Sequence, residues 1–245
     1  CADHGVTFVG PRPDQIAQMG NKIRARALAA DLGLPTLSGS TNVDSPREAV
    51  AIARRVGLPM MIKAAAGGGG RGMKIVQNES GMANMFAAGS NEARAAFGAG
   101  TLYLERYIAD ARHVEVQILA DRHGNVEHLG ERDCSLQRRH QKLVEEAPAP
   151  NLSESLCQQI REAGVALAKG FGYENAGTVE FIVDQASQTF HFLEMNTRIQ
   201  VEHPVTEMIT GIDLVQEQLR VARGETLRFR QADVQFRGHA IECRI

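Results

Sequence analysis

The chain is poor in cysteine, has no long apolar run and carries no excess of either charge. Cys1, Cys134, Cys157 and Cys243 are the four cysteines of its 245 residues. None stands in a CxxC pair, which argues against zinc and against a disulfide framework and leaves them as free thiols. No stretch approaches the roughly 18–20 apolar residues that cross a bilayer, and no basic start followed by an apolar core marks a signal. With 27 Lys and Arg against 29 Asp and Glu, the formal charge is −2. Neither nucleic acid nor an anionic membrane is therefore expected as a partner, and a charged ligand must be met locally. The expected location is the cytoplasm, or the mitochondrial matrix in a eukaryote. Two common nucleotide signatures are also missing: there is no GxxxxGK[ST], and no GxGxxG between an opening strand and a helix.

What the chain does have is one dense glycine run. Gly67, Gly68, Gly69, Gly70, Arg71 and Gly72 follow the apolar stretch Leu58 to Ala66, which carries Lys63. Consecutive glycines expose backbone N–H groups, take positive φ without strain and close over a phosphate where a Cβ would collide. Lys63, Arg71 and Lys74 supply the cations that a polyphosphate requires. Taken alone, the run fits a flexible hairpin tip as well as it fits an anion cover.

An apolar fraction of 43% is ample for a buried core, in one large domain or two smaller ones. A short strand is expected over 6–9, then helices over 14–19 and 22–32, the second stopped by Gly33 and Pro35. Ser45, Pro46 and Glu48 read as an N-cap, a first-turn proline and a capping-box acid, with Gly57 and Pro59 ending that helix. The Lys63 strand, the glycine run, a strand over 73–76, a helix over 79–96 and a strand over 101–107 complete a lid-like α+β unit. Val114, Val116 and Ile118 then alternate with His113, Glu115 and Gln117, the pattern of a half-buried antiparallel strand. A strand over 126–131, a polar loop with Arg138, Arg139, His140 and Lys142, and a helix over 154–171 follow. Strands over 177–184 and 189–196 form a hairpin, and a helix from Asp213 to Gly224 precedes a last strand over 238–245. A chain that opens at Cys1 without Met and stops after a strand reads as a segment of something longer.

Chemistry concentrates in that hairpin. Glu180 lies on one strand, and Glu194 and Asn196, two apart on its partner, project from one sheet face. Carboxylates that interrupt runs such as Val179, Phe181 and Ile182 are costly to desolvate without a cation or hydrogen bonds. Three hard oxygens suit Mg²⁺ or Mn²⁺; acids on an edge strand facing solvent are the plainer reading. Asn196-Thr197-Arg198-Ile199-Gln200-Val201-Glu202-His203-Pro204 follows directly. There Arg198 can clamp a small planar oxyanion such as bicarbonate, Gln200 and a backbone N–H can complete its recognition, and Glu202 can act as a base. For each of these residues singly, a surface or loop-capping role is as good a reading.

Met60 through Gly72, Glu131 to Ser135, Arg138 to Ala147, Phe192 to Gly211 and Gly238 to Ile245 together resemble the biotin carboxylase family of the ATP-grasp superfamily. The resemblance covers essentially the whole chain and does not choose among acetyl-CoA, propionyl-CoA, methylcrotonyl-CoA and pyruvate carboxylases. It implies an α+β fold of the ATP-grasp type, with a small lid over a larger antiparallel sheet and a remnant of an N-terminal Rossmann-like domain. The implied division is 1–36 for that remnant and a linking helix, 37–107 for the lid, and 108–245 for the core and a truncated C-terminal region. It further implies that Lys22 and Lys63 contact ATP phosphates beneath Gly67 to Gly72. Glu105, Arg106 and Ile108 form a hinge facing the adenine, with Arg106 where many members have Lys. His113, Gln137 and His140 lie along ribose and phosphates, and Glu180, Glu194 and Asn196 hold the metal. Lys142, Arg198, Gln200 and Val201 bind bicarbonate, Glu202 deprotonates it, and Arg244 stabilises the biotin enolate. The implied cofactors are ATP and Mg²⁺ or Mn²⁺, and the reaction is carboxylation of carrier-bound biotin through carboxyphosphate. No Ala-Met-Lys-Met segment occurs, so biotin is expected on a separate carrier domain or protein, with a carboxyltransferase as the next partner and a homodimer as the assembly. Two other readings stay open: a different ATP-grasp ligase, and a nucleotide-binding or assembly module without turnover.

Overall fold

The computed structural model describes residues 1–40, 42–65 and 73–245. The expectations placed on Gly67, Gly68, Gly69, Gly70, Arg71 and Gly72 lie outside the described residues. Helices α1 (Pro13–Gly20) and α2 (Lys22–Asp31) lead to α3 (Pro46–Val56) and to a three-stranded antiparallel sheet of order β2-β1-β3. Its strands are β1 (Met60–Ala64), β2 (Lys74–Val76) and β3 (Leu102–Arg106), with α4 (Met82–Phe97) inserted before β3. Helix α3 starts where a cap is available: the Ser45 hydroxyl accepts from the Glu48 N–H at 3.2 Å. Its apolar residues Ala49, Ile52 and Ala53 pack with Phe86 of α4 against Met60, Ile62 and Leu104 of the sheet.

The second sheet has six strands, all antiparallel, in the order β8-β7-β4-β5-β6-β9. These are β4 (Ala111–Ala120), β5 (Val126–Arg138), β6 (Gln141–Ala147), β7 (Asn175–Asp184), β8 (Thr189–Asn196) and β9 (Ala240–Cys243). Helix α5 (Glu154–Gly170) follows β6. One sheet face is apolar: Val114, Val116 and Ile118 of β4 and Val179 and Phe181 of β7 bury against Ile160 and Leu167 of α5. Phe181 makes edge contacts with Phe190 and Phe192, ring centroids 5.5 and 6.4 Å away. Helices α6 (His203–Thr210) and α7 (Leu214–Ala222) lie against the sheet through smaller apolar clusters. No helix among the described residues is long and apolar enough to cross a membrane.

A bulge aims the functional hairpin. Glu180 pairs with Glu194, but the next residue, Phe181, pairs with Phe192, leaving Leu193 extra in β8. Phe192 and Met195 therefore both reach the apolar core, and Glu194 and Asn196 stand on the opposite face beside Glu180. Without the extra residue, strict alternation would place Glu194 on the same face as Phe192.

Four expectations need correction. The stretch 6–9 forms no strand: Val6 and Phe8 are 58% and 51% exposed, and no strand among the described residues pairs with them. The polar loop after 131 is instead the continuation of β5, a turn at Arg139 and His140, and strand β6. Both turn residues have positive φ, 52° and 63°, which gives a two-residue hairpin matched to strand twist. Helix α6 directly follows Glu202, where no helix was expected. Finally, the polar face of β4 is not solvated: Glu115 and Gln117 are fully buried.

Gly39 crosses β3 so closely that a Cβ there would lie 2.0 Å from the Leu104 carbonyl oxygen. Gly39→Ala is expected to destabilise by about 3 kcal/mol through displacement of the backbone next to Glu105, read by chemical denaturation. His128 stacks on Phe236, and its Nδ1 accepts from the Gly130 N–H at 3.3 Å. Burial, helped by Arg161, lowers its pKa to about 4. The unfolded chain therefore takes up this proton first, and stability declines as pH falls from about 6.5 towards about 4. His128→Phe should remove on the order of 1 kcal/mol of that decline, measured as unfolding free energy against pH.

Candidate active site

Antiparallel registry sets a row of charges across four strands on the polar sheet face. Arg132 of β5 lies opposite Glu115 of β4, Glu115 opposite Glu180 of β7, and Glu180 opposite Glu194 of β8. Like charges directly opposite one another repel, and Glu115 and Glu180 are buried, so the row stands only if cations enter it. Lys142 of β6 reaches across the sheet, its Nζ bonded to Glu115, to Glu180 at 3.0 Å and to Glu202 at 2.6 Å. All three ammonium protons are thereby used. Glu180 also accepts from Asn196 at 2.7 Å and Gln200 at 3.0 Å, and His113 Nε2 lies 2.8 Å away. Lys22 closes the far end, 2.8 Å from Glu194.

Arg132 is fully buried and satisfied at every N–H. Its Nε donates to Glu115 at 2.7 Å, Nη1 to Gln117 at 2.7 Å and Thr206 at 2.9 Å, and Nη2 to Thr178 at 3.3 Å and Gln200 at 3.2 Å. Arg244 lies 2.7 Å from Glu202 and 2.6 Å from Glu145, a carboxylate with no solvent exposure.

Burial disfavours every one of these charges, and their partners decide the outcome. It opposes the ammonium of Lys142, yet Glu115, Glu180 and Glu202 raise its pKa above the ordinary lysine range. Burial likewise opposes the Glu180 carboxylate, but His113 and Lys142 hold it well below the usual range; in turn burial and Lys142 oppose the charged form of His113, and Glu180 outweighs them and raises its pKa. At Glu202 burial is again outweighed by Lys142, so its affinity for a proton is reduced. At Glu145 burial wins, and its pKa is raised despite Arg244.

A cavity of about 980 Å³ opens on this face between the two sheets. It is lined by Lys22, Lys63, Glu105, Arg106, Ile108, His113, Gln137, His140, Lys142, Glu180, Glu194, Asn196, Arg198, Gln200, Val201, Glu202 and Arg244. Every residue that the resemblance assigns to the site is thus brought to one space, as far as the described residues go. Glu105 is buried between two cations, Lys63 Nζ and Arg26 Nη1, each at 2.5 Å. Arg198 is exposed, its Nη1 donating to the Ile199 carbonyl at 3.1 Å. Gln137 donates to the Cys134 carbonyl at 2.8 Å and lies 3.2 Å from His113 Nδ1. Lys74 pairs with Glu92 at 2.5 Å and does not line the cavity. Reasoning from sequence missed Arg26, Arg132, Glu115 and Glu145 as members of the site; the alternation of β4 placed Glu115 on this face without marking it as buried.

Among known proteins, the model of the carbamoyl-phosphate synthase L chain, ATP binding domain, matches residues 21–230. The chain belongs to this ATP-binding family, and its fold is the ATP-grasp fold. Within that class its similarity is to biotin carboxylases. It is 53% identical to biotin carboxylase of Nostoc sp., over all of this chain and 55% of the relative. It superposes with a TM-score of 0.96 and 46% identity on the biotin carboxylase–beta-gamma-ATP complex of Campylobacter jejuni, covering all of this chain and 55% of that one. The biotin carboxylase domain of Hydrogenobacter thermophilus 2-oxoglutarate carboxylase, solved with MgADP, ADP and bicarbonate, gives 0.95 at 49% identity, covering 100% and 54%. The chain spans about half the length of the curated relatives it matches.

Removing one member of a buried ion pair leaves the other uncompensated, at a cost of about 3–5 kcal/mol. Glu115→Ala is accordingly expected to destabilise by about that amount, because Arg132 loses its one carboxylate. Glu194→Ala, at the open end of the row, should cost less than about 1 kcal/mol. Paired urea titrations check both.

Proposed function

We propose that this chain forms the ATP- and bicarbonate-binding part of a biotin carboxylase, an ATP-dependent ligase that makes a carbon–nitrogen bond on biotin. The observation that carries the reading is the single cavity lined by both the Glu180, Glu194 and Asn196 oxygens and the Arg198, Gln200, Glu202 and Arg244 set. The first set fits Mg²⁺ or Mn²⁺: two carboxylates on directly opposed positions, with an amide next along, form a hard-oxygen donor set. When bound, the ion would neutralise charge on the transferred phosphoryl group.

Lys22 and Lys63 take the ATP phosphates, with Gly67 to Gly72 as the cover. Glu105, Arg106 and Ile108 face the adenine, and His113, Gln137 and His140 line the path of the ribose and phosphates. Arg198, Gln200 and the Val201 backbone hold bicarbonate, with Lys142 beside it. Bicarbonate, losing its proton to Glu202, attacks the γ-phosphorus to give carboxyphosphate and ADP. Carboxyphosphate breaks down to CO2 and phosphate, phosphate removes the N1 proton of biotin, and the resulting enolate, stabilised by Arg244, captures CO2. Donors fixed before the reaction stabilise developing charge without reorganisation, and exclusion of water protects the mixed anhydride. Biotin arrives on a carrier domain or protein, a carboxyltransferase takes it onward, and the working assembly is a homodimer.

The test is ADP release measured against bicarbonate, with and without free biotin. Bicarbonate-dependent release stimulated by biotin is expected, and Glu202→Gln should lower kcat by at least about 100-fold while MgADP still binds by calorimetry. Release indifferent to biotin, with Glu202→Gln fully active, overturns the assignment.

A further inference from the structure

Arg132 lies beneath the cavity and does not line it, yet its bonding decides what the cavity presents. A guanidinium has five N–H donors and no acceptor, and here each donor has its own oxygen: Glu115, Gln117, Thr206, Thr178 and Gln200. The fifth acceptor is the side-chain oxygen of Gln200, a residue that is 5% exposed. Turning that amide over would set an NH2 group against the guanidinium, losing a charge-assisted bond and placing donor against donor in a buried site. With the oxygen held down, the Gln200 NH2 faces the other way, where it donates to Glu180 at 3.0 Å on the cavity wall. Gln117 cannot substitute, because its own NH2 is committed to the carbonyls of Ile118 and Gly177 at 3.2 and 3.0 Å.

We propose that Arg132 is a positioning residue that fixes the amide orientation of Gln200, so that the anion pocket presents a donor and discriminates for bicarbonate. This rests on the assignment of Gln200 to bicarbonate, and nothing in it requires Arg132 to touch a reactant. Thr206 ties the same guanidinium to α6, the helix that begins directly after Glu202, so the pocket floor and the Glu202 backbone share one anchor.

Arg132→Lys keeps the charge and removes the planar fork. The expected result is a KM for bicarbonate raised at least about tenfold, the worth of one such hydrogen bond, with the KM for ATP unchanged. A second readout does not depend on turnover. The Gln200 side-chain amide should appear in ¹H–¹⁵N NMR spectra as slowly exchanging peaks that move on addition of bicarbonate. In Arg132→Lys they should revert to the positions of exposed glutamine amides. Unchanged amide peaks and an unchanged bicarbonate KM overturn the proposal. Should the peaks revert in the variant while bicarbonate moves nothing in the parent, Arg132 still orients Gln200 but the anion assignment fails, and with it the claim of discrimination. Gln200→Glu covers the case in which Arg132→Lys does not fold. Its carboxylate keeps the bond to Arg132 but turns a bare oxygen to Glu180 and the pocket, so it should melt lower than the parent while staying folded by circular dichroism, and lose the bicarbonate response; a retained response overturns the proposal.

Discussion

Glu115, Glu180 and Glu194 occupy directly opposed positions on three neighbouring strands, and the remainder of the site answers the cost of that row. A sheet fixes such neighbours about 5 Å apart whatever their charge, so relief comes from cations brought in by other elements. Arg132 arrives from β5, Lys142 from β6 and Lys22 from α2. The positions of β6 and α2 against this face are in that sense conditions for the row to be ionised. A buried pair contributes little net stability beside an apolar substitute, but removing one partner is costly. The network therefore specifies geometry more than it stabilises the fold, and stability comes from the other face, where Phe181, Val179 and Val116 pack on α5.

Keeping the two faces apart requires a departure from regular pairing. A regular β8 would carry Phe190, Phe192 and Glu194 on one face, and an acid in that core would lack any of its present partners. The extra residue at Leu193 resolves the conflict. Apolar packing and charge placement therefore set the hairpin register jointly, which leaves Glu180 and Glu194 little freedom to separate.

Much of this was legible from residue order. Capping residues and a glycine stop located α3, and alternation located β4 and the β7–β8 hairpin with the acids on one face. What escaped had physical reasons. The turn at Arg139–His140 takes positive φ in two residues that are neither glycine nor asparagine, so no punctuation marks the β5–β6 hairpin. Helix α6 is eight residues long, too short for its periodicity to stand out from the motif before it. Arg132 was the deepest omission, because a charged residue between Glu131 and Asp133 reads as surface. Its burial depends on five partners scattered over β4, β7, α6 and the segment before it, and no local pattern announces such a set. Lys142 was assigned through family resemblance alone, since its role depends on β6 lying beside β5.

The same network bears on how Glu202 could act as a base. Lys142 and Arg244 grip both of its oxygens, and Lys142 outweighs burial to lower its affinity for a proton, so with these contacts intact it is a poor acceptor. An arriving anion competes for those cations: each ammonium or guanidinium proton turned towards bicarbonate is one withdrawn from Glu202. In the proposed reaction, binding of the substrate thus raises the basicity of the group that must deprotonate it, and Arg132, engaged by buried partners only, keeps the pocket floor in place while Lys142 and Arg244 shift. Basicity would then depend on occupancy: the carboxylate stays ionised and unreactive in the empty cavity and gains proton affinity when the anion is in place.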